Sequence, residues 1–302
     1  MIIVKLQGGL GNQLYEYALY RRLQLLGKEV YLDDIDYTDR AFVRDIREIE
    51  LQKLGLTDKL NFCTLKQHYS LCDDGRDLIN RARRKIFGNH SSVLKEGDRF
   101  EDGLQELDNV YLDGFWQCQK YYEDCLSVIR DEIDFGDKYS RDNAKILEEI
   151  RNDKDSVSLH IRLTDYVKKE STYGGICTEA YYQSAIKYVK SMCDNPHFYI
   201  FSDDIEAAKK QVSAFGISGV FVDCNTSENS HYDMMLMANC HHNICANSSF
   251  SIWGATLNKR NDKIVIKPLK ANNNTYVDMA SIHEMWRGWT IIDERGKVYI
   301  EC

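Results

Sequence analysis

The chain has 302 residues, 43% hydrophobic and 28% charged, which suits a globular protein with room for two domains and excludes a disordered chain. A formal net charge of −8 excludes nucleic-acid binding through a general basic field and leaves only a focused site for an anion. No apolar run is long enough to span a bilayer, and the opening Met1-Ile-Ile-Val-Lys5-Leu6 is too short for a signal peptide, so a cytoplasmic protein with at most peripheral membrane contact is expected.

Taken in order, residues 2–6 read as a strand that turns through Gln7-Gly-Gly-Leu-Gly-Asn-Gln13 into a helix running to about Gly27. Glycines permit close backbone approach, and a helix start offers unpaired N–H groups to an anion. A second strand over residues 29–33 completes a βαβ opening. Gly9-x-Gly11, with Asp33 or Asp34 about twenty residues on, partly matches the dinucleotide fingerprint, but Leu14 stands where its third glycine belongs. Residues 35–105 read as charged helices and loops, with short apolar patches at Leu51, Leu54, Leu56 and Leu60. Their basic run Arg81-Ala-Arg-Arg-Lys85 reads as a solvated helix face, with an anionic lipid or anionic acceptor as the alternative contact.

Residues 109–113 form the next strand, ending in Gly114-Phe-Trp116-Gln117. Trp116 is either a platform for a sugar ring, with Gln117 reading hydroxyls, or a cap on the core. A break at Asp134-Phe-Gly-Asp-Lys-Tyr-Ser140 separates a first domain, 1–137, from a second, 138–275. The second half alternates helices, from about Arg141 to Asn152 and from Glu179 to Cys193, with a strand carrying His160 and strands at His197–Phe201, Val220–Asp223, Asn243–Ala246 and Lys263–Pro268. This pattern predicts a parallel doubly wound sheet with ligands outside the carboxyl ends of its strands. Met234, Met235 and Met237 read as core packing at helical spacing. Residues 276–302, with a hairpin over Asp293-Glu-Arg-Gly296, have no assigned place.

Ten cysteines without a disulfide framework read as reduced thiols. Cys240-His-His-Asn-Ile-Cys245 cannot fold four tetrahedral ligands from six consecutive residues, so it reads as a helix end entering a buried strand. Asp34-x-Asp36 and Asp153-x-Asp155 are not placed as a metal-binding diphosphate motif requires, and no metal is expected.

Three polar groups fall at expected strand ends: His160 with Arg162 and Asp165, Ser202 with Asp203 and Asp204, and Asn247 with Ser248 and Ser249. Arginine presents a permanently charged planar fork that suits a departing phosphate, although Arg162 and Asp165 would also make a surface ion pair. Serines opening a helix offer hydroxyls and free N–H groups to a diphosphate; helix capping is the alternative for Ser248 and Ser249, and for Asp203.

Gln7-Gly-Gly-Leu-Gly-Asn-Gln13, His160-x-Arg162-x-x-Asp165-Tyr166, Phe201-Ser-Asp-Asp204 and Ala246-Asn-Ser-Ser-Phe-Ser251 with Trp253 together resemble the α-1,2-fucosyltransferases of glycosyltransferase family 11. The resemblance runs from residue 1 to about 268. It implies a GT-B architecture, two Rossmann-like domains facing each other across a cleft, with GDP-β-L-fucose as donor and no metal or other cofactor. It implies inverting transfer to the 2-hydroxyl of a galactose-terminated oligosaccharide or lipid-linked glycan in bacterial surface-glycan synthesis. Carried over by position, Arg162 would hold the β-phosphate, His160 and Asp203 would line the guanosine pocket, and Ser248, Ser249 and Phe250 would cradle the diphosphate. Asp204 and Asn247 fall in the same donor site, and Gly9, Gly11, Asn12 and Gln13 would complete it. The acceptor site is expected at Trp116 and Gln117. The family commonly has a second arginine and a glycine after the first arginine; Leu163 and Thr164 stand here.

Inverting transfer needs fixed positive charge on the leaving diphosphate, a role for Arg162, and a base for the acceptor hydroxyl, for which Asp165 and Glu170 are the alternatives. The rivals are a nicotinamide-dependent oxidoreductase, which would use only the first βαβ unit, and a non-catalytic nucleotide-sugar binding protein.

Overall fold

Short apolar runs alternating with amphipathic segments leave parallel strands covered by helices as the arrangement that buries both sheet faces. A computed structural model describes residues 1–38, 48–75, 78–97, 99–163, 170–226, 228–274 and 279–300. The chain divides into two units, Met1–Asp134 and Phe135–Cys302.

In the first unit, β1 (Ile2–Lys5), β2 (Val30–Asp33), β3 (Val93–Lys95) and β4 (Val110–Asp113) form a parallel sheet in the order β2-β1-β4-β3. Ile2, Ile3 and Val4 of the central β1 are fully buried, as are Leu14, Tyr17, Ala18 and Leu19 of the helix α1 (Leu10–Leu25). The region between β2 and β3 contributes the short helix α2 (Ile35–Thr38), then α3 (Leu65–Cys72), opened by a capping box between Thr64 and Gln67, and α4 (Leu78–Phe87). Arg21 lays its guanidinium on Glu132 of α5 (Leu126–Glu132), fastening α1 to the end of the unit.

The second unit begins with α6 (Arg141–Asn152), β5 (Ser156–Ile161), the single turn α7 (Glu170–Tyr173) and α8 (Glu179–Met192). It continues through β6 (His197–Ser202), α9 (Ile205–Ala214), β7 (Gly219–Val222), α10 (His231–Asn239), β8 (His242–Ile244) and α11 (Ser249–Leu257). It closes with β9 (Val265–Pro268), α12 (Met279–Met285), β10 (Thr290–Ile292) and β11 (Val298–Tyr299). The sheet order is β11-β10-β9-β8-β5-β6-β7. From β7 to β10 this is the doubly wound order 3-2-1-4-5-6.

Every residue of β5 is buried. Val157, Leu159 and Ile161 pack against Tyr182, Ala185, Ile186 and Val189 of α8. On another core cluster, Tyr199 and Phe201 of β6 meet Leu147 and Ile150 of α6 and Met235 and Met237 of α10. The methionines are core, as their spacing suggests. The C-terminal segment has a place after all: β10 joins β9 in parallel, and β11 returns antiparallel through a turn whose Asp293 carboxylate accepts the Arg295 and Lys297 amides. The nine described cysteines are all unbridged.

Candidate functional site

The order of the second sheet reverses between β5 and β8, and a crevice outside the carboxyl ends of two such strands is where doubly wound folds bind ligands. β5 delivers His160, Arg162 and Leu163 there, and β8 leads through Cys245 and Ala246 into Asn247, Ser248 and α11. Arg162 is partly exposed, and its Nε lies 3.2 Å from Asp203 Oδ2. The other oxygen of Asp203 accepts the Leu163 amide at 2.8 Å. Asp203 therefore fixes both the arginine and the backbone that carries it.

His160 is 4% exposed. Burial, with the neighbouring Arg162 charge and against the pull of Asp203, brings its imidazole down to about 3, so it is neutral at physiological pH. Its carbonyl accepts the Tyr182 hydroxyl, its ring lies 6.2 Å from that of Phe250, and its Nδ1 is buried without a hydrogen-bond partner. A buried polar atom left so is costly unless a ligand satisfies it. Ser248 is the N-cap of α11, yet its side chain makes no capping hydrogen bond. The capping alternative for that hydroxyl is thus not taken, and the start of α11 keeps its N–H groups and positive dipole end for an anion.

Other expected donor residues are employed differently. Asp204 is the N-cap of α9, accepting the Ala207 amide at 3.0 Å, and its charge favours that helix start. The Asn247 amide donates to the Tyr173 and Ala271 carbonyls while its oxygen and N–H meet the Cys177 thiol, tying loops together. Leu163 packs on the apolar cluster of β5 and α8. Asp165 lies outside the described residues, as does the side chain of Glu170, which opens α7.

In the first unit the order reverses between β1 and β4, but the start of α1 is already filled. The Leu10 amide donates to the Glu50 carboxylate at 3.0 Å. The Gln7 amide donates to Glu16, which is fully buried and has its carboxyl pushed well up by that burial. Gly8 has the left-handed backbone, φ 74°, and a Cβ there would collide with the Asn12 amide 2.5 Å away, so the conformational demand falls on Gly8 and not on Gly9 or Gly11. Gln13 is fully buried; its amide donates to the Gly8 and Glu48 carbonyls and to Tyr37, and its oxygen accepts the Glu50 amide. It clamps the loop and offers nothing to a donor.

Of the two aspartates that could serve a dinucleotide ribose, Asp33 is buried among His68, Tyr111 and the Ile35 amide and is taken. Asp34-x-Asp36 does follow β2 directly, and Asp36 pairs with Lys5 at 3.0 Å. Among the described residues no three His, Cys, Asp or Glu side chains are grouped to hold a metal ion; His241 pairs with Asp262, and His242 accepts the Ile264 amide.

Beyond β4, the Glu96 carboxylate accepts the amides of Phe115, Trp116 and Gln117 and so shapes their loop. Trp116, at φ 55°, is fully buried edge-on to Tyr121. It caps the core and is not a sugar platform. The exposed ring is Phe115, 38% accessible, and Gln117 donates to Asn12 Oδ1 at 2.9 Å. Asn12 thus belongs with the expected acceptor residue of its own unit.

Residues 93–292 match the family described as Glycosyl transferase family 11. The chain belongs to that family. The family 11 glycosyltransferase is 33% identical to an alpha-1,2-colitosyltransferase of Escherichia coli, over 89% of this chain and 91% of that one. It is 30% identical to the O-antigen biosynthesis glycosyltransferase WbnK of Escherichia coli, over 91% and 97%. Among solved structures, the fucosyltransferase NodZ from Bradyrhizobium is similar at 16% identity and a TM-score of 0.47, over 84% of this chain and 90% of that one. The two α/β units with parallel sheets are the Rossmann-like parts expected of a GT-B glycosyltransferase.

Sequence reasoning passed over four residues of this glycosyltransferase: Glu50, Glu96, Phe115 and Lys267. Lys267 is 6% exposed at the end of β9, where burial lowers its ammonium to about 8 against the pull of Cys245 and Cys177. It donates to the Pro268 carbonyl and lies over the Trp286 ring. A lysine inside the run Ile264-Val-Ile-Lys267-Pro268 was the available signal.

Proposed function

We propose that this glycosyltransferase moves L-fucose from GDP-β-L-fucose to the 2-hydroxyl of a terminal galactose, giving an α-1,2 linkage with inversion, in bacterial surface-glycan synthesis. The observation that carries the reading is the β5/β8 switch point, where the Asp203-backed Arg162 and the start of α11, uncapped by the Ser248 side chain, offer fixed positive charge to a diphosphate. His160, neutral and with an unpartnered Nδ1, supplies a further polar contact for the nucleotide or sugar. Inversion follows from one displacement: the acceptor oxygen attacks the anomeric carbon, its proton passes to Asp165 or Glu170, and GDP leaves onto Arg162. This chemistry needs no metal, because protein cations stabilise the leaving group.

Phe115 and Gln117 are the acceptor contacts in this reading, an aromatic face for the sugar's C–H groups and an amide for its hydroxyls. A second donor is favoured by the 33% identical colitosyltransferase, since colitose is L-fucose without its 3-hydroxyl. The test is turnover in EDTA, with GDP-fucose and GDP-colitose offered in parallel to galactosides and the new linkage assigned by NMR. An α-1,2-fucoside supports the proposal. Turnover of GDP-colitose alone replaces its donor, and binding of GDP without transfer to any galactoside promotes the non-catalytic rival.

A further inference from the structure

Helix α4 carries its amphipathicity in the reverse of the usual sense. Its ten residues, Leu78-Ile-Asn-Arg-Ala-Arg-Arg-Lys-Ile-Phe87, include four basic side chains and no acidic one. At helical spacing Leu78, Ile79, Ala82 and Ile86 share a face, and Arg83 and Arg84 lie away from it. A helix on a protein surface ordinarily turns the apolar face inward. Here the arginines face in: Arg83 pairs with the Asp73 carboxylate, and Arg84 donates to the Asp73 and Gly75 carbonyls at 2.7 and 2.6 Å. The apolar face is left outside, with Leu78 80%, Ile79 81% and Ile86 71% exposed, and Phe87 at the helix end 69% exposed. No residue of α4 is buried, so the core gains nothing from these side chains.

We propose that α4 is a docking surface for an anionic phospholipid bilayer. It lies in the plane of the interface, with Leu78, Ile79 and Ile86 entering the headgroup boundary while the exposed Arg81 and Lys85, flanking that face, meet lipid phosphates. Charge decides the occupant. Two copies of α4 packed face to face would bring cations onto cations with no acid in either helix, whereas an anionic surface neutralises them. The helix does not span: no described helix is long and apolar enough to cross a membrane. Because the whole chain carries −8, the attraction to such a surface is local to this helix and sensitive to salt.

The experiment is co-sedimentation of the full chain with vesicles of phosphatidylcholine alone or mixed with phosphatidylglycerol, with fold checked by circular dichroism. Wild type is expected to sediment with the mixed vesicles and not with phosphatidylcholine alone, and to be released by salt. Arg81→Gln and Lys85→Gln should each weaken the partition roughly fivefold, and Ile79→Asp with Ile86→Asp should abolish it. All four sites are exposed, so the variants fold. A Phe87→Trp variant should show blue-shifted fluorescence on the mixed vesicles alone. Failure of wild type to bind them at low salt overturns the proposal, as does unaltered binding by Ile79→Asp/Ile86→Asp. Self-association abolished by that double variant, without vesicle binding, assigns the face to a second copy and also overturns it.

Discussion

Asp203 grips Arg162 and the backbone next to it at once, one carboxylate oxygen 3.2 Å from the Arg162 Nε and the other 2.8 Å from the Leu163 amide. A guanidinium must be aimed before the reaction if it is to stabilise charge as it develops. Arg162→Ala should therefore cost roughly 10²–10³-fold in kcat. Asp203→Ala should cost roughly 10²-fold by releasing the fork. The double variant should be no slower than Arg162→Ala, because Asp203 acts through Arg162. Steady-state release of GDP from GDP-fucose measures all three; additive losses would give Asp203 a separate role.

Trp116 and Phe115 are neighbours with opposite duties. Trp116→Ala empties a fully buried site and should destabilise the fold by about 3–5 kcal/mol in urea titrations. Phe115→Ala should leave stability within about 0.5 kcal/mol while raising the KM for acceptor. A normal acceptor KM in Phe115→Ala would take that ring out of the acceptor site.

Gln13 holds the glycine loop to residues 48–50 through bonds in both directions. Gln13→Ala strands the Glu50 amide and two carbonyls, and should lower the unfolding free energy by about 2–3 kcal/mol. Calorimetric affinity for GDP should be unchanged. A selective loss of GDP binding at full stability would restore Gln13 to the donor site.

Burial lifts the Asp233 carboxyl from the ordinary carboxylate range to about 7, against the hydrogen bond it accepts from Asn225 at 2.6 Å. A folded value above the unfolded one means that the native state holds more protons in between, so this contribution to stability is present below about pH 4 and lost as pH rises to about 7. Asp233→Asn keeps the acceptor and removes the charge. Its Tm should exceed that of wild type near pH 8 and approach it near pH 4; a constant difference between these two conditions would contradict the shift.

The repeating elements of the second unit were legible because burial on two faces imposes a pattern that side chains alone display. The helix expected from about Arg141 to Asn152 is present, with Ser140 at its start accepting the Asn143 amide. The polar ends of β5, β6 and β8 were legible too, because the doubly wound order gathers carboxyl ends. What each polar residue does there was less so. Asp203 and Asp204 are adjacent and chemically identical, yet one holds an arginine and the other caps a helix. Gln13 reads as ligand-binding until Glu48 and Glu50, distant in sequence, are seen to occupy its amide. Trp116 is ambiguous in sequence because its direction is set by a left-handed backbone that Glu96, just past β3, holds from a distance along the chain.

The Glu50 carboxylate at the start of α1 means that the two units have resolved one geometric opportunity in opposite ways. The first supplies its own anion, and Asp36 and Asp113 hold the ammonium of Lys5. A phosphorylated or carboxylated guest would meet repulsion there, whereas an uncharged carbohydrate would meet acceptors for its hydroxyls. The start of α1 is thus closed to anions before any substrate arrives, while the start of α11 is left open to them.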